Sequence, residues 1–202
     1  MCGILGLSID TKNDIGSSSQ FSMEFENTFE ESISLLSHRG PDGSGTEYFR
    51  SDGVFFGHTR LAIQDLSPAG KQPMVSKDKQ LVITFNGEIY NFPKLKDELT
   101  KLGYRFFSNT DTEVIMYLYA EYGIECFAML DGVFALAIFD KIDDKLVVAR
   151  DSLGVKPLYY LRNDRSFIFS SEIKAIEKLV SNRQLTLDKQ NLNRYLTFQW
   201  CP

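Results

Sequence analysis

An α+β fold, with β-sheets stacked on each other and covered by helices, is predicted by three features of this 202-residue sequence. The run Val133-Phe134-Ala135-Leu136-Ala137-Ile138-Phe139 has no polar alternation, so it reads as a strand covered on both faces. Short apolar runs follow it at hairpin-like spacing, at Leu146–Ala149, Leu158–Leu161 and Phe167–Phe169. Segments of helical periodicity lie before and after these strands. Such one-sided elements bury their apolar faces by stacking in layers.

Taken in order, the apolar start Met1-Cys2-Gly3-Ile4-Leu5-Gly6-Leu7 reads as a first strand, and the polar Lys12–Gln20 segment as a surface loop after it. Phe25, Phe29, Ile33 and Leu36 recur at helical spacing, which predicts an amphipathic helix over Ser22–Ser37. His38–Gly43 is a loop, because Gly and Pro alternate there. Val54–Phe56 and Leu61–Ile63 are short strand candidates, and the β-branched Leu81–Phe85 run is a stronger one. Phe92–Leu102 is helical: Pro93 suits the first turn, Leu95, Leu99 and Leu102 form a stripe, and Gly103 ends it. Thr110-x-x-Glu113 is a capping-box pattern that opens a helix to Tyr122. Two further helices are expected at Glu172–Val180 and Leu187–Leu196.

The length suits a single domain over residues 1–202 with an ample core. Twenty-two Lys and Arg against 27 Asp and Glu leave a net charge of −5, which argues against a nucleic-acid partner. No apolar stretch approaches the ~20 residues of a membrane span, and the N-terminus lacks the basic segment of a signal peptide. The three cysteines, Cys2, Cys126 and Cys201, are too few and scattered for a disulfide framework, which points to a reducing, cytoplasmic setting. Two histidines and sparse thiols do not make a zinc site, and no glycine-rich phosphate loop is present.

The chemistry centres on Cys2. Removal of Met1 would leave a thiol beside a free α-amine of pKa near ~7.7–8.0, a base able to activate its own side chain. The plain alternative is a small apolar residue in a buried strand. Asn86-Gly87 follows the Leu81–Phe85 run. By itself the pair is a strong signal for a tight hairpin turn. It also offers a side-chain amide and an unencumbered N–H, the two donors of an oxyanion hole. Arg60 is suited to a carboxylate, though an ordinary surface arginine is the default. Asp111 suits the start of a helix with no function attached, or equally an ammonium group. Together they would recognise the two ends of a free amino acid. Glu88, Asn91 and Arg39 have weaker individual claims, and Cys126 and Cys201 have none beyond packing.

Singly these signals are weak; their order is not. Met1-Cys2-Gly3-Ile4, His38-Arg39-Gly40-Pro41-Asp42, His58-Thr59-Arg60-Leu61, Asn86-Gly87-Glu88-Ile89-Tyr90-Asn91 and Asp111-Thr112-Glu113 occur in sequence. Asp131-Gly132-Val133-Phe134-Ala135, Arg150–Tyr159 and Ser171-Glu172-Ile173-Lys174-Ala175 follow. The whole closely resembles the N-terminal glutaminase domain of glutamine-hydrolysing asparagine synthetases, a branch of the class II glutamine amidotransferases. Glucosamine-phosphate synthase and phosphoribosyl-pyrophosphate amidotransferase share the Cys start and the Asn-Gly, but His38–Asp42 and Asn86–Asn91 look more like asparagine synthetase. One position departs from the family: Thr110 stands where a serine is common, and keeps the hydroxyl.

The resemblance implies an N-terminal nucleophile hydrolase fold, four layers α-β-β-α, with two stacked antiparallel sheets between helices. It implies Cys2 as nucleophile towards glutamine, its α-amine as base, and Asn86 and Gly87 as oxyanion hole. Arg60 would hold the α-carboxylate, and Glu88 and Asp111 the α-amino group. No metal or organic cofactor is implied for glutamine hydrolysis. ATP and magnesium are implied only for a synthetase domain, whose Ser-Gly-Gly-x-Asp-Ser loop this sequence lacks. The expected partners are therefore glutamine and an asparagine-synthetase-type domain in cis or trans, with a homodimer left open. Two alternatives stand beside this reading: a non-catalytic glutamine-binding or docking module, and an amidotransferase half serving an acceptor other than aspartate.

Overall fold

The computed structural model describes residues 1–10, 23–180 and 187–199. The predicted Lys12–Gln20 loop, the helix start at Ser22 and Cys201 lie outside the described residues. Strand β1 (Gly3–Ile9) is the centre of a five-stranded sheet. It is flanked on one side by β3 (Val54–Arg60) and β2 (Gly43–Phe49), and on the other by β9 (Ser166–Ser170) and β8 (Tyr159–Arg162). A second, four-stranded sheet runs β4 (Met74–Val75), β5 (Leu81–Ile89), β6 (Gly132–Asp140), β7 (Lys145–Arg150). The strand pairs are antiparallel throughout.

Side-chain alternation sorts the strands into layers. Ile4, Val54, Phe56, Val82, Ala135, Ala137, Phe139 and Phe169 fill the space between the sheets. The alternate residues point outward to helices. Leu5, Leu7, Phe55 and Ile168 pack on Phe29 and Ile33 of α1 (Met23–Ser34) and Ala175 and Ile176 of α4 (Ile173–Leu179). Ile83, Phe85, Leu136 and Ile138 pack on Leu95 and Leu99 of α2 (Phe92–Lys101) and Val114, Ile115 and Leu118 of α3 (Asp111–Tyr122). The order is helix, sheet, sheet, helix. Strand β6 is buried from Phe134 to Phe139 because helices cover one face and the other sheet covers the second. Each buried Phe, Leu or Ile of this run contributes about 1.5–3 kcal/mol relative to exposure. A last helix, α5 (Lys189–Phe198), buries no residue and leaves Leu196 and Phe198 exposed.

Four elements differ from expectation, each because strand partners outweigh local signals. β5 runs straight through Asn86-Gly87, which pair with Ala135 and Phe134, so the turn reading of this dipeptide is wrong. Leu61–Ile63 forms no strand; β3 ends at Arg60, where its partner β2 begins at Gly43. β2, Gly-Ser-Gly-Thr-Glu-Tyr-Phe, has no apolar run to announce it and forms by pairing along β3. The runs at 146–149 and 158–161 are not hairpin partners: β7 and β8 belong to different sheets. The crossover between them is held by Asp151, whose carboxylate accepts from the N–H groups of Phe134 (3.1 Å), Val155 (2.8 Å) and Lys156 (3.0 Å).

Candidate active site

Cys2 directly precedes β1 and has the parity of Ile4, whose side chain points between the sheets; Asn86 has the same parity as Val82 on β5. At the end of the inter-sheet space a cleft of about 130 Å³ opens. Cys2, Arg60, Asn86, Gly87, Glu88 and Asp111 all line it, so residues from positions 2 to 111 come together there. The volume suits a small ligand and falls below the ~300–1,000 Å³ typical of drug-sized sites.

The non-strand segment after β3 serves the thiol. The Leu61 N–H donates to Cys2 Sγ at 3.4 Å, and the thiol lies 3.7 Å from the Leu61 carbonyl oxygen. Burial raises the Cys2 thiol above its ordinary value, while the Leu61 hydrogen bond pulls the other way. The backbone here is pinned twice. Gly3 N–H donates to Thr59 Oγ1 at 3.1 Å, and Arg39 Nε donates to the Cys2 carbonyl at 3.0 Å. Arg39 is in turn fixed by Glu172 at 3.0 Å. Burial works to raise the Glu172 carboxyl, but hydrogen bonds from Lys174, Arg39 and His38 outweigh it and hold it at about 2. Arg39, a weak candidate in the sequence, is thus the anchor of the Cys2 backbone.

The edge of β5 supplies donors. N–H groups of alternate strand residues point the same way. Phe85 N–H leaves the sheet edge to donate to Gln72 Oε1 at 2.7 Å, and Ile89 N–H donates to Asp111 Oδ2 at 3.0 Å. By the same alternation Gly87 N–H points to this edge, between them and beyond the two residues of β4 that pair with β5. Beside it, Asn86 is 2 % exposed and its Nδ2 is buried with no hydrogen-bond partner. Asn86, with its unspent donor, and Gly87 both line the cleft that holds the thiol. Only glycine fits at position 87, because a Cβ there would lie 2.5 Å from the Val133 carbonyl oxygen.

The remaining candidates form the two ends of a small charged site. Arg60 is oriented by backbone carbonyls, with Nη1 donating to Ser67 O at 3.0 Å and Nη2 to Asp65 O. Glu88 and Asp111 supply carboxylates. Thr110 caps α3, its Oγ1 accepting from Glu113 N–H at 3.3 Å, as the capping box predicts. The buried Glu113 carboxylate accepts from Ser108 N–H at 2.7 Å and so fixes the approach to Asp111. Burial pushes the Asp111 carboxyl up to about 7; the charge of Glu88 adds to this, and the Ile89 N–H opposes it.

Sequence reasoning missed Gln64, Gln72 and Lys156, which also line the cleft. None sits in a pattern that signals a role. Gln64 links the Glu88 carboxylate to the Asp111 backbone: its Nε2 donates to Glu88 Oε1 at 2.6 Å, and its Oε1 accepts from Asp111 N–H at 3.2 Å. Asn91 is not in the cleft; it binds Met129 O at 2.9 Å and Asp131 N–H at 3.0 Å. Cys126 is buried in the core beneath α3. Among the described residues no three His, Cys, Asp or Glu side chains group as a metal site, and no helix is long and apolar enough to cross a membrane.

Residues 1–202 match the glutamine amidotransferase domain family along their whole length. The chain belongs to that family. This glutamine amidotransferase domain is 37% identical to asparagine synthetase [glutamine-hydrolyzing] 1 of Bacillus subtilis, over all of this chain and 30% of that protein. It is 45% identical to asparagine synthetase [glutamine-hydrolyzing] 2 of Oryza sativa subsp. japonica, over 70% of this chain and 23% of the relative. It is also 36% identical to Amidase chry2 of Gibberella zeae, over 72% of this chain and 22% of that protein. The domain thus spans only between 22% and 35% of the length of these and similar curated relatives. A solved structure of glutamine phosphoribosylpyrophosphate amidotransferase from B. subtilis superposes with a TM-score of 0.65 at 21% identity, over 89% of this chain and 44% of that one. That enzyme shares the fold of the domain, two antiparallel sheets between helices.

Proposed function

We propose that this domain hydrolyses glutamine to glutamate and ammonia through Cys2. The observation that carries the reading is the buried, unpartnered Nδ2 of Asn86 beside the outward N–H of Gly87, in the same cleft as the thiol. Unspent buried donors are costly unless they serve a ligand or a transient charge.

Once Met1 is removed, the Cys2 α-amine takes the thiol proton. The sulfur attacks the carboxamide carbon, and the carbonyl electron pair moves to oxygen, which Asn86 Nδ2 and Gly87 N–H stabilise. Collapse of that intermediate breaks the C–N bond. The protonated α-amine returns its proton to the leaving nitrogen, so ammonia departs and a γ-glutamyl thioester remains. Water, deprotonated by the same amine, then releases glutamate and restores the thiol. Arg60 holds the substrate carboxylate, and Glu88 and Asp111 its ammonium. No cofactor takes part in these steps.

The ammonia would pass to a synthetase-type domain in cis or trans that activates aspartate with ATP and magnesium. The names and greater lengths of the relatives support this. A second reading keeps the hydrolysis and changes the acceptor; it is supported by the likeness to a relative named as an amidase. The cytoplasm is the proposed location, where Cys2 and Cys126 stay reduced. The test is glutamate release from glutamine by protein whose free Cys2 is confirmed by intact mass, beside a Cys2→Ala control. Release that vanishes in the control supports the reading; release that persists in the control, or none from the parent protein, overturns it.

A further inference from the structure

One of the two carboxylates assigned to the substrate ammonium, that of Glu88, is already engaged by a side chain of the protein itself. Gln64 Nε2 donates to Glu88 Oε1 at 2.6 Å, a short, charge-assisted contact. The same carboxamide accepts from Asp111 N–H at 3.2 Å, one of the orphan donors at the start of α3. Gln64 therefore spans the two residues between which an ammonium group would sit. An arriving ammonium brings three donors and needs carboxylate oxygens to receive them. One oxygen of Glu88 is taken, and the amide hydrogens that take it present positive charge to the incoming cation. Gln64 lies half-buried on the segment after β3, on no helix or strand, so its side chain can be displaced.

We infer that Gln64 is a built-in competitor for the ammonium end of the substrate, and that it sets the affinity of the cleft for free α-amino acids. The inference rests on the reading of Glu88 and Asp111 as the ammonium site. It differs from a clamp role, in which Gln64 would arrange the two carboxylates and its loss would weaken binding. A hydrogen bond to a charged group is worth on the order of tenfold or more in an equilibrium, so displacing Gln64 consumes about that much affinity.

The test is calorimetric binding of L-glutamine and of 4-carbamoylbutanoate, its analogue without the amino group, to protein carrying Cys2→Ala so that no turnover intervenes. Gln64→Met keeps the length of the side chain without its donors, and Gln64→Ala removes it; either variant alone suffices if the other does not fold. The expected result is a Kd for L-glutamine lowered about tenfold by each variant, with the Kd of the analogue shifted less than about threefold. Unchanged or weaker glutamine binding overturns the inference, and so do equal gains for both ligands. Glutamine binding without glutamate release by the Cys2 protein would remove the hydrolysis reading and leave the role of Gln64 standing. No glutamine binding to any of these proteins removes both.

Discussion

The Ile89 N–H donates to Asp111 Oδ2 at 3.0 Å, joining the end of β5 to the first residue of α3. This bond ties the strand that carries Asn86 and Gly87 to the helix that carries the far carboxylate. The bond does not make the carboxylate comfortable. Asp111 is 5 % exposed, and burial together with Glu88 pushes its carboxyl up to about 7. The site stores negative charge that only a cation or a proton relieves.

Asp111→Asn should therefore stabilise the fold while removing glutamine affinity. The folded carboxyl titrates near 7 and the unfolded one near 3.8, so between these values the native state holds the extra proton and stability falls as pH rises. Asparagine retains an acceptor for Ile89 N–H and carries no charge. We expect a gain of about 1–3 kcal/mol at pH 8, shrinking towards zero near pH 4, read from urea midpoints at the two pH values.

The same carboxyl makes substrate capture pH-dependent. Ammonium binding needs the ionised form, so kcat/KM for glutamine should rise as pH increases through about 7, with the α-amine of Cys2 adding its own ionisation, while kcat carries the α-amine alone. A pH profile of both constants checks this. In the Asp111→Asn protein, the limb near 7 should be absent from whatever kcat/KM remains.

Asn86→Ala tests the oxyanion hole. Removing one such donor costs about 10²–10³ in kcat. Because Nδ2 makes no hydrogen bond in the resting protein, its loss should cost little stability and leave KM within a few-fold. Kinetics beside a thermal melt separate this from a folding defect. Gly87→Ala is the contrasting case: the 2.5 Å approach to Val133 O forces the strand apart, and the melt itself should fall.

His58 offers a prediction about acid. It is buried between the sheets, its Nε2 lies 3.2 Å from Phe85 O, and its Nδ1 has no partner. Burial holds its pKa down to about 4 from an ordinary 6.5. Between these values the unfolded state binds the extra proton, so stability is lost as pH falls from 6.5 to 4. Asp111 changes in the opposite direction over much of this range and masks the effect. In the Asp111→Asn protein, urea midpoints should show a loss of about 3 kcal/mol over that window. A His58→Phe substitution added to it should abolish that loss.

The layers were legible because they rest on local pattern, while the proposed chemical roles came from the family that the order of the motifs resembles. An unbroken, partly β-branched apolar run at Val133–Phe139 reads as a strand with two covered faces, and Thr110-x-x-Glu113 is a local signal for a helix start. The order of the motifs named Cys2, Asn86, Gly87, Arg60, Glu88 and Asp111 as a set. Tertiary structure decided what no local pattern encodes. Asn86-Gly87 has the turn preference of a hairpin, yet it extends a strand because β6 pairs with it residue for residue, and pairing over a whole strand outweighs the preference of one dipeptide. Leu61–Ile63 has strand composition, yet its backbone turns to the Cys2 thiol because β2 offers no partner beyond Gly43. Arg39 and Gln64 act through a few long-range hydrogen bonds, Arg39 to the Cys2 carbonyl and Glu172, and Gln64 to Glu88 and the Asp111 N–H. A lone polar side chain leaves no periodic trace in sequence, so its partner is known only when the chain has brought distant segments together.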